Sequence, residues 1–385
     1  ERFTGWGKQT HHTIDISNEK SLDLIKNMIS EYRPLFRTNK FNICADETFD
    51  LGKGKSKEYC EKVGLGKAYV GYVKKLCEHV ISLGCTPMMW GDVILNYPEM
   101  LSEFPPETIF LNWAYHSGVT DENTKIFGDK NVKFYNCPGV SGWGRLCNDY
   151  ESAYENIRRM SKYAKENHAT GLLNTDWGDY YHTVHPEFSL IGMIYGAQFS
   201  WCDNEDREEL NEEISALEFG ISEVNLPELL LEISQNTIFK WDELCIYQEN
   251  ASDKSNQSLA KDAKDRILKK RIDPEQFKSA QDRLFEIKMK LSREMAEAKP
   301  EHRDLLAAYE VAVDGCRYLN QLGNSIQIRE CLKSEETGEI DQRDLAAKLE
   351  HWFCYYKKLW RSVSEESELS RIQAIVDGYC DYLRS

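Results

Sequence analysis

Between residues 13 and 201, short apolar runs alternate with longer amphipathic segments, and this alternation constrains the fold more than any other feature of the chain. The runs are Phe41 to Cys44, Pro87 to Trp90, Ile109 to Trp113, Val132 to Asn136 and Thr170 to Asn174, each followed by a polar or glycine-containing stretch. Short continuous apolar runs of this kind read as buried parallel strands. The segments between them carry helical spacing. Leu22, Ile25, Ile29 and Tyr32 mark a helix over Asn18 to Leu35, with Ser17 or Asn18 as its N-cap, and Tyr69, Val73, Leu76 and Val80 mark one over Ala68 to Leu83 that Gly84 ends. Tyr150 to Asn167 and Glu187 to Trp201 complete the set. Strand–helix repetition predicts an α/β architecture with right-handed crossovers. Five strands are counted where a closed (β/α)8 barrel of the TIM type needs eight. The expectation is therefore either an open five-stranded sheet or the later strands of a barrel whose first strands lie outside this chain.

After Cys202 the texture changes. Asp273-Pro274 forms an N-cap and N1 pair ahead of Phe277, Ala280, Leu284, Ile287 and Leu291. Leu345, Leu349, Trp352, Tyr356 and Leu359 repeat at helical spacing, and 250–262 reads as a polar loop. The expected organisation is a partial barrel over 1–202 and an all-α bundle over 203–385.

The 385 residues carry a formal net charge of −16, so nucleic acid and anionic membrane surfaces are not expected partners. No run of 18 apolar residues predicts a membrane-spanning helix. None of the 12 cysteines are paired as Cys-x-x-Cys, so no zinc site is expected. Scattered thiols such as Cys44 and Cys77 on apolar elements fit a reducing, cytoplasmic setting. Asn250 and Asn256 each open a glycosylation-type triplet.

The chemistry gathers at strand ends. Asp46 and Glu47 follow the first apolar run, where barrel active sites are built. An acid pair alone equally well caps a turn, but the four later strands each end in an aromatic residue: Trp90, Trp113, Tyr135 and Trp177, the last in Trp177-Gly178-Asp179. Rings that stack on sugar C–H faces, beside carboxylates that bind hydroxyls, suit a carbohydrate pocket. Asp92, Asp176 and Trp143 lie on the same rim; His182 and His185 follow the last strand without a third metal ligand.

The run Phe41 to Glu47, with Trp90, Trp113, Tyr135 and Trp177-Gly178-Asp179 in order behind it, resembles the family 20 glycoside hydrolases, the β-N-acetylhexosaminidases, over about residues 13–201. The resemblance implies substrate-assisted retaining hydrolysis of a terminal β-N-acetylhexosamine with no cofactor and no metal. It implies Glu47 as general acid and base, Asp46 as the acceptor of the acetamide N–H, and Tyr135 as donor to the acetamide oxygen. Trp90, Trp113 and Trp177 would wall the sugar, and Asp179, where the family more often has Glu, would bind distal hydroxyls. The expected partner is an oligosaccharide or glycoconjugate; a homo-oligomer is compatible with the sequence. Two other readings stay open: a barrel glycosidase with a second enzymic carboxylate, Asp176 or Asp179, and a non-catalytic sugar-binding or scaffold protein.

Overall fold

A computed structural model describes residues 13–202, 205–251, 257–270, 272–331 and 341–385. Five parallel strands form one sheet in chain order: β1 (Lys40–Asn42), β2 (Thr86–Trp90), β3 (Ile109–Trp113), β4 (Lys133–Cys137) and β5 (Gly171–Leu172). Fourteen helices surround and follow it among the described residues: α1 (Glu19–Tyr32), α2 (Lys57–Val63), α3 (Leu65–Ser82), α4 (Glu122–Asp129), α5 (Tyr150–Glu166), α6 (Leu190–Trp201), α7 (Arg207–Glu218), α8 (Leu226–Gln235), α9 (Trp241–Ala251), α10 (Gln257–Lys269), α11 (Pro274–Glu297), α12 (Pro300–Cys331), α13 (Gln342–Val363) and α14 (Leu369–Arg384). None of them is long and apolar enough to cross a membrane.

Local signals act where expected. Asn18 caps α1 by accepting from Lys20 N at 3.0 Å. Gly84, at φ +74°, follows the end of α3, where a left-handed residue without a Cβ costs least. Asp273 caps α11 through Glu275 N, and Pro274 opens it. Two short helices, α2 and α4, carry too little apolar periodicity to be read from sequence. The expected loop over 250–262 is helical wherever it is described: α9 runs to Ala251, and α10 begins at Gln257, with Ala263 and Ile267, one turn apart, burying a narrow stripe. Residues 252–256, with the triplet at Asn256, lie outside the described residues. Asn250 is 2% exposed and donates to Ile246 O, so its side chain faces inward rather than toward a glycan.

The sheet divides its residues between two faces. Met89, Phe110 and Phe134 point outward into a core with α3. Asn112 and Asn136, on the same outward register, close a buried polar network in which Asn112 Nδ2 donates to Asn136 Oδ1 at 2.8 Å and Asn136 Nδ2 to Met160 O at 2.9 Å. Met88, Trp90, Ile109, Leu111 and Cys137 line the inner face, with Trp113 and Tyr135 packed against them.

The sheet is open but strongly curled. Trp90, at the end of β2, meets Trp177, beyond β5, with ring centroids 5.7 Å apart. Three inter-strand spacings separate those strands, about 14 Å in a flat sheet, so the inner face is concave. Lys40 on β1 likewise reaches across the hollow to Tyr135 on β4, 2.8 Å from Nζ to Oη.

Beyond residue 205 the described chain is all helical. Here α11 packs on α12 and α13 on α14. The largest apolar core runs without a break from Leu146, Tyr150 and Tyr195 through to Leu383. The helical region is therefore fused to the back of the sheet layer through α5 and α6 rather than set apart from it.

Candidate active site

The acid pair sits on a backbone kink. Pairing with β2 continues past the last strand residue, through Ile43 N to Met88 O and Trp90 N to Cys44 O, both 2.9 Å. Then Cys44, Ala45 and Glu47 all take left-handed φ, at 62°, 70° and 49°. Such conformations cost non-glycine residues about 1–3 kcal/mol each and persist only where surroundings over-determine them. Two contacts do so here: Tyr69 Oη donates to Ala45 O at 2.8 Å, and Glu47 N donates to Asp92 Oδ2 at 2.9 Å. The period-two alternation of the strand thus ends before Asp46, and the kink, not the pleat, aims the two carboxylates.

Glu47 is held well above the usual carboxylate range, at about 7, first by partial burial and then by the charges of Asp46, Asp92 and Asp179. An acid poised there is protonated at mildly acidic pH and close to half-ionised at neutrality, the condition in which one group both donates and accepts a proton. Asp179 is also raised, by burial, with His182 pulling it back. The charge of Asp179, from the segment after β5, is felt at Glu47.

The aromatic wall is continuous. Trp113 stacks on Tyr115 at 5.2 Å and 18°, Tyr115 meets Trp143 edge-on at 5.1 Å, and Trp177 Nε1 donates to Tyr115 Oη at 3.0 Å. Trp90 closes the row against Trp177. Trp90 is 6% exposed whereas Trp177 is 38% exposed, so the first is wall and the second offers a face. Because Lys40 Nζ donates to Tyr135 Oη, the phenol hydrogen of Tyr135 is left for another acceptor. Burial pushes the Tyr115 hydroxyl up, hydrogen bonds with Trp177 and Thr175 pull it back, and Cys137 and then Asp46 add to the rise, so the Asp46 charge is felt at the aromatic row as well as at Glu47.

Trp90, Trp113 and Tyr135 share the concave face, Trp177 meets Trp90 there, and the charges of Asp46 and Asp179 reach Glu47. Asp92 supports the backbone of Glu47, and its Oδ1, like that of Asp176, is buried without a protein partner. His185 serves locally, its Nδ1 accepting from Glu187 N at 3.3 Å and its ring 5.3 Å from Phe188. No group of three or more His, Cys, Asp or Glu among the described residues is placed to hold a metal ion. Sequence reasoning missed Tyr115, Lys40 and Tyr69. The signal for Tyr115 was present in Trp113-Ala114-Tyr115: period-two spacing carries a second ring to the same face as the first.

No family model matches the chain. In sequence it is similar to a lacto-N-biosidase from Bifidobacterium bifidum, 24% identical over 226 residues, which cover 51% of this chain and 19% of that protein. Among solved structures, an X-ray structure of a chitobiase from Flavobacterium johnsoniae aligns with a TM-score of 0.42 and 15% identity, over 91% of this chain and 60% of that one. The chain thus spans about a fifth of the length of the curated relative it matches.

Proposed function

We propose that residues 13–202 carry the acid-pair side of a β-N-acetylhexosaminidase site, within a (β/α)8 barrel, that hydrolyses a terminal non-reducing β-N-acetylhexosamine by substrate-assisted catalysis. The observation that carries the reading is a glutamic acid pushed up to about 7 by burial and by the charges of Asp46, Asp92 and Asp179, just past the first strand of a sheet whose concave face carries the aromatic row. The partial similarity to a lacto-N-biosidase supports a glycoside hydrolase at the coarse level.

In this mechanism Glu47 gives its proton to the glycosidic oxygen as the C1–O bond breaks. The substrate's acetamido oxygen forms the new bond at C1, giving an oxazolinium ion. Asp46 accepts the acetamide N–H and balances the charge developing on nitrogen, which is electrostatic stabilisation at the atom where charge appears. The Tyr135 hydroxyl donates to the acetamide oxygen and aims it at C1. Water then attacks C1, Glu47 takes its proton, and the acetamide is restored with net retention. The aromatic row holds the internal nucleophile near its attack position, an effect worth several kcal/mol. Asp179 holds hydroxyls at the far side of the ring.

The test is turnover of an aryl β-N-acetylglucosaminide by the full-length protein and its Glu47→Gln variant. A loss of roughly 10²–10⁴-fold in kcat is expected for removal of a general acid–base group. Undiminished turnover overturns the assignment. Tight inhibition by a thiazoline that mimics the oxazolinium is expected; its absence with activity intact points instead to an enzymic nucleophile.

A further inference from the structure

We propose that α9, an element of the helical region, is a clamp that sets the position of the two rim loops bearing Trp143, Trp177 and Asp179, so that Trp241 and Glu249 are positioning residues of the site. The kinetic consequence rests on the glycosidase reading; the structural one does not.

The loop after β5 is poorly able to hold itself. Tyr180, Tyr181 and His182 take three successive left-handed φ values of 50°, 72° and 50°, a run that L-residues do not sustain without external constraint. Its internal bond is His182 N to Asp179 O at 3.2 Å. The constraint comes from the helices. Trp241, 2% exposed, donates from Nε1 to Tyr180 O at 3.0 Å. Tyr181 Oη donates to Glu249 Oε1, two turns further along α9. Tyr356 Oη on α13 donates to Thr183 O at 2.9 Å.

The same end of α9 grips the second loop. Asp242 N donates to Gly144 O at 3.2 Å. Gly144 is left-handed, at φ +67°, and a Cβ there would lie 3.1 Å from Asp242 Cβ, so the close approach uses the absence of a side chain. Gly144 adjoins Trp143, whose ring abuts Tyr115. Thr183 Oγ1 donates to Arg145 O at 2.8 Å and ties the two loops together. One helix thus holds, through main-chain atoms, both the loop that carries Asp179 and the loop that carries Trp143. Because the helical region shares its core with α5 and α6, the clamp is rigidly mounted.

The test uses the full-length protein with Trp241→Phe, which keeps a ring but removes the donor, and Glu249→Ala beside Glu249→Gln, whose amide oxygen still accepts from Tyr181. Hydrogen exchange of the peptide spanning 178–185 is expected to quicken in Trp241→Phe and in Glu249→Ala and to be restored in Glu249→Gln, whereas the peptide spanning 142–145, gripped by the Asp242 main chain, keeps its protection in all three. With an aryl N-acetylhexosaminide, KM is expected to rise roughly five- to tenfold, as for loss of one or two hydrogen bonds, with kcat nearly unchanged. Combined with Asp179→Asn, the Trp241→Phe loss is expected to shrink, because both act through one carboxylate. Unchanged exchange over 178–185 overturns the clamp whatever the activity. Faster exchange with lower kcat, unchanged KM and additive losses also overturns it, since that pattern is a falling fraction of folded protein. A wild-type protein inactive on every N-acetylhexosaminide overturns the glycosidase reading instead, and the exchange data alone then decide the clamp.

Discussion

Replacing Glu47 by Gln should stabilise the protein at alkaline pH while removing its activity. In the folded chain the Glu47 carboxyl binds its proton more tightly than in the unfolded chain, at about 7 against an ordinary 4.5. Below 4.5 both states are protonated and the site is neutral in stability. As pH rises between 4.5 and 7 the unfolded state releases its proton first, so folding stability falls; above 7 the whole penalty is present. A pKa raised by 2.5 corresponds to roughly 3.4 kcal/mol, and because Glu47 is open to water on one side, screening cuts this to about 1–2 kcal/mol. Glutamine has nearly the same shape and never ionises. Urea unfolding followed by tryptophan fluorescence at pH 4 and pH 8, on wild type and variant, isolates the effect, because all other titrating groups are common to both. The expected result is no gain at pH 4 and a gain of about 1–2 kcal/mol at pH 8. An equal difference at the two pH values would mean that Glu47 titrates normally and that the acid role has lost its physical basis.

Other outcomes follow from the same geometry. Asp46→Asn removes the largest neighbouring charge that raises Glu47; its acid should ionise at lower pH, so the alkaline limb of the pH–rate profile should move down. A limb that stays in place would disconnect Asp46 from Glu47. Tyr115→Phe keeps the stack on Trp113 but strips Trp177 Nε1 of its acceptor. Freed to turn, Trp177 should weaken sugar binding about fivefold, read as KM, with little change in the unfolding midpoint. Asn136→Ala takes one buried partner from Asn112 Nδ2, which keeps Thr124 Oγ1 at 3.1 Å, and one from Met160 O, which lies within α5; two lost buried hydrogen bonds cost about 1–3 kcal/mol, measurable by urea unfolding.

Much of the architecture was readable because it depends on short-range pattern. Each of the five apolar runs holds strand residues; burial on both faces explains this for β2, β3 and β4, while the outer strands β1 and β5 are short and only partly covered. Asn18 and Asp273 cap where expected because capping involves only residues two or three apart. The switch to an all-helical texture after residue 202 is likewise a change of period. Trp90 and Trp113 close β2 and β3 as the strand-end reading had it, whereas Tyr135 is the middle residue of β4 and Trp177 stands five residues beyond β5, because parallel strands deliver their C-terminal ends to one rim without fixing where each ring falls along the chain.

What the chain order could not contain was distance. The curl that brings Trp90 to Trp177, and Lys40 to Tyr135, sums the twist of five strands and the packing behind them. The left-handed kink at Cys44, Ala45 and Glu47 runs against local preference and is held by Tyr69 and Asp92, residues 24 and 45 positions away. The elevated pKa of Glu47 depends first on burial and, beyond its chain neighbour Asp46, on Asp92 and Asp179, all but Asp46 supplied by folding. Sequence alone determined where strands and capped helices would lie, since alternation and capping are local. Tertiary structure alone decided how the candidate residues face one another and what charge they carry, since both depend on through-space contacts between segments far apart in the chain.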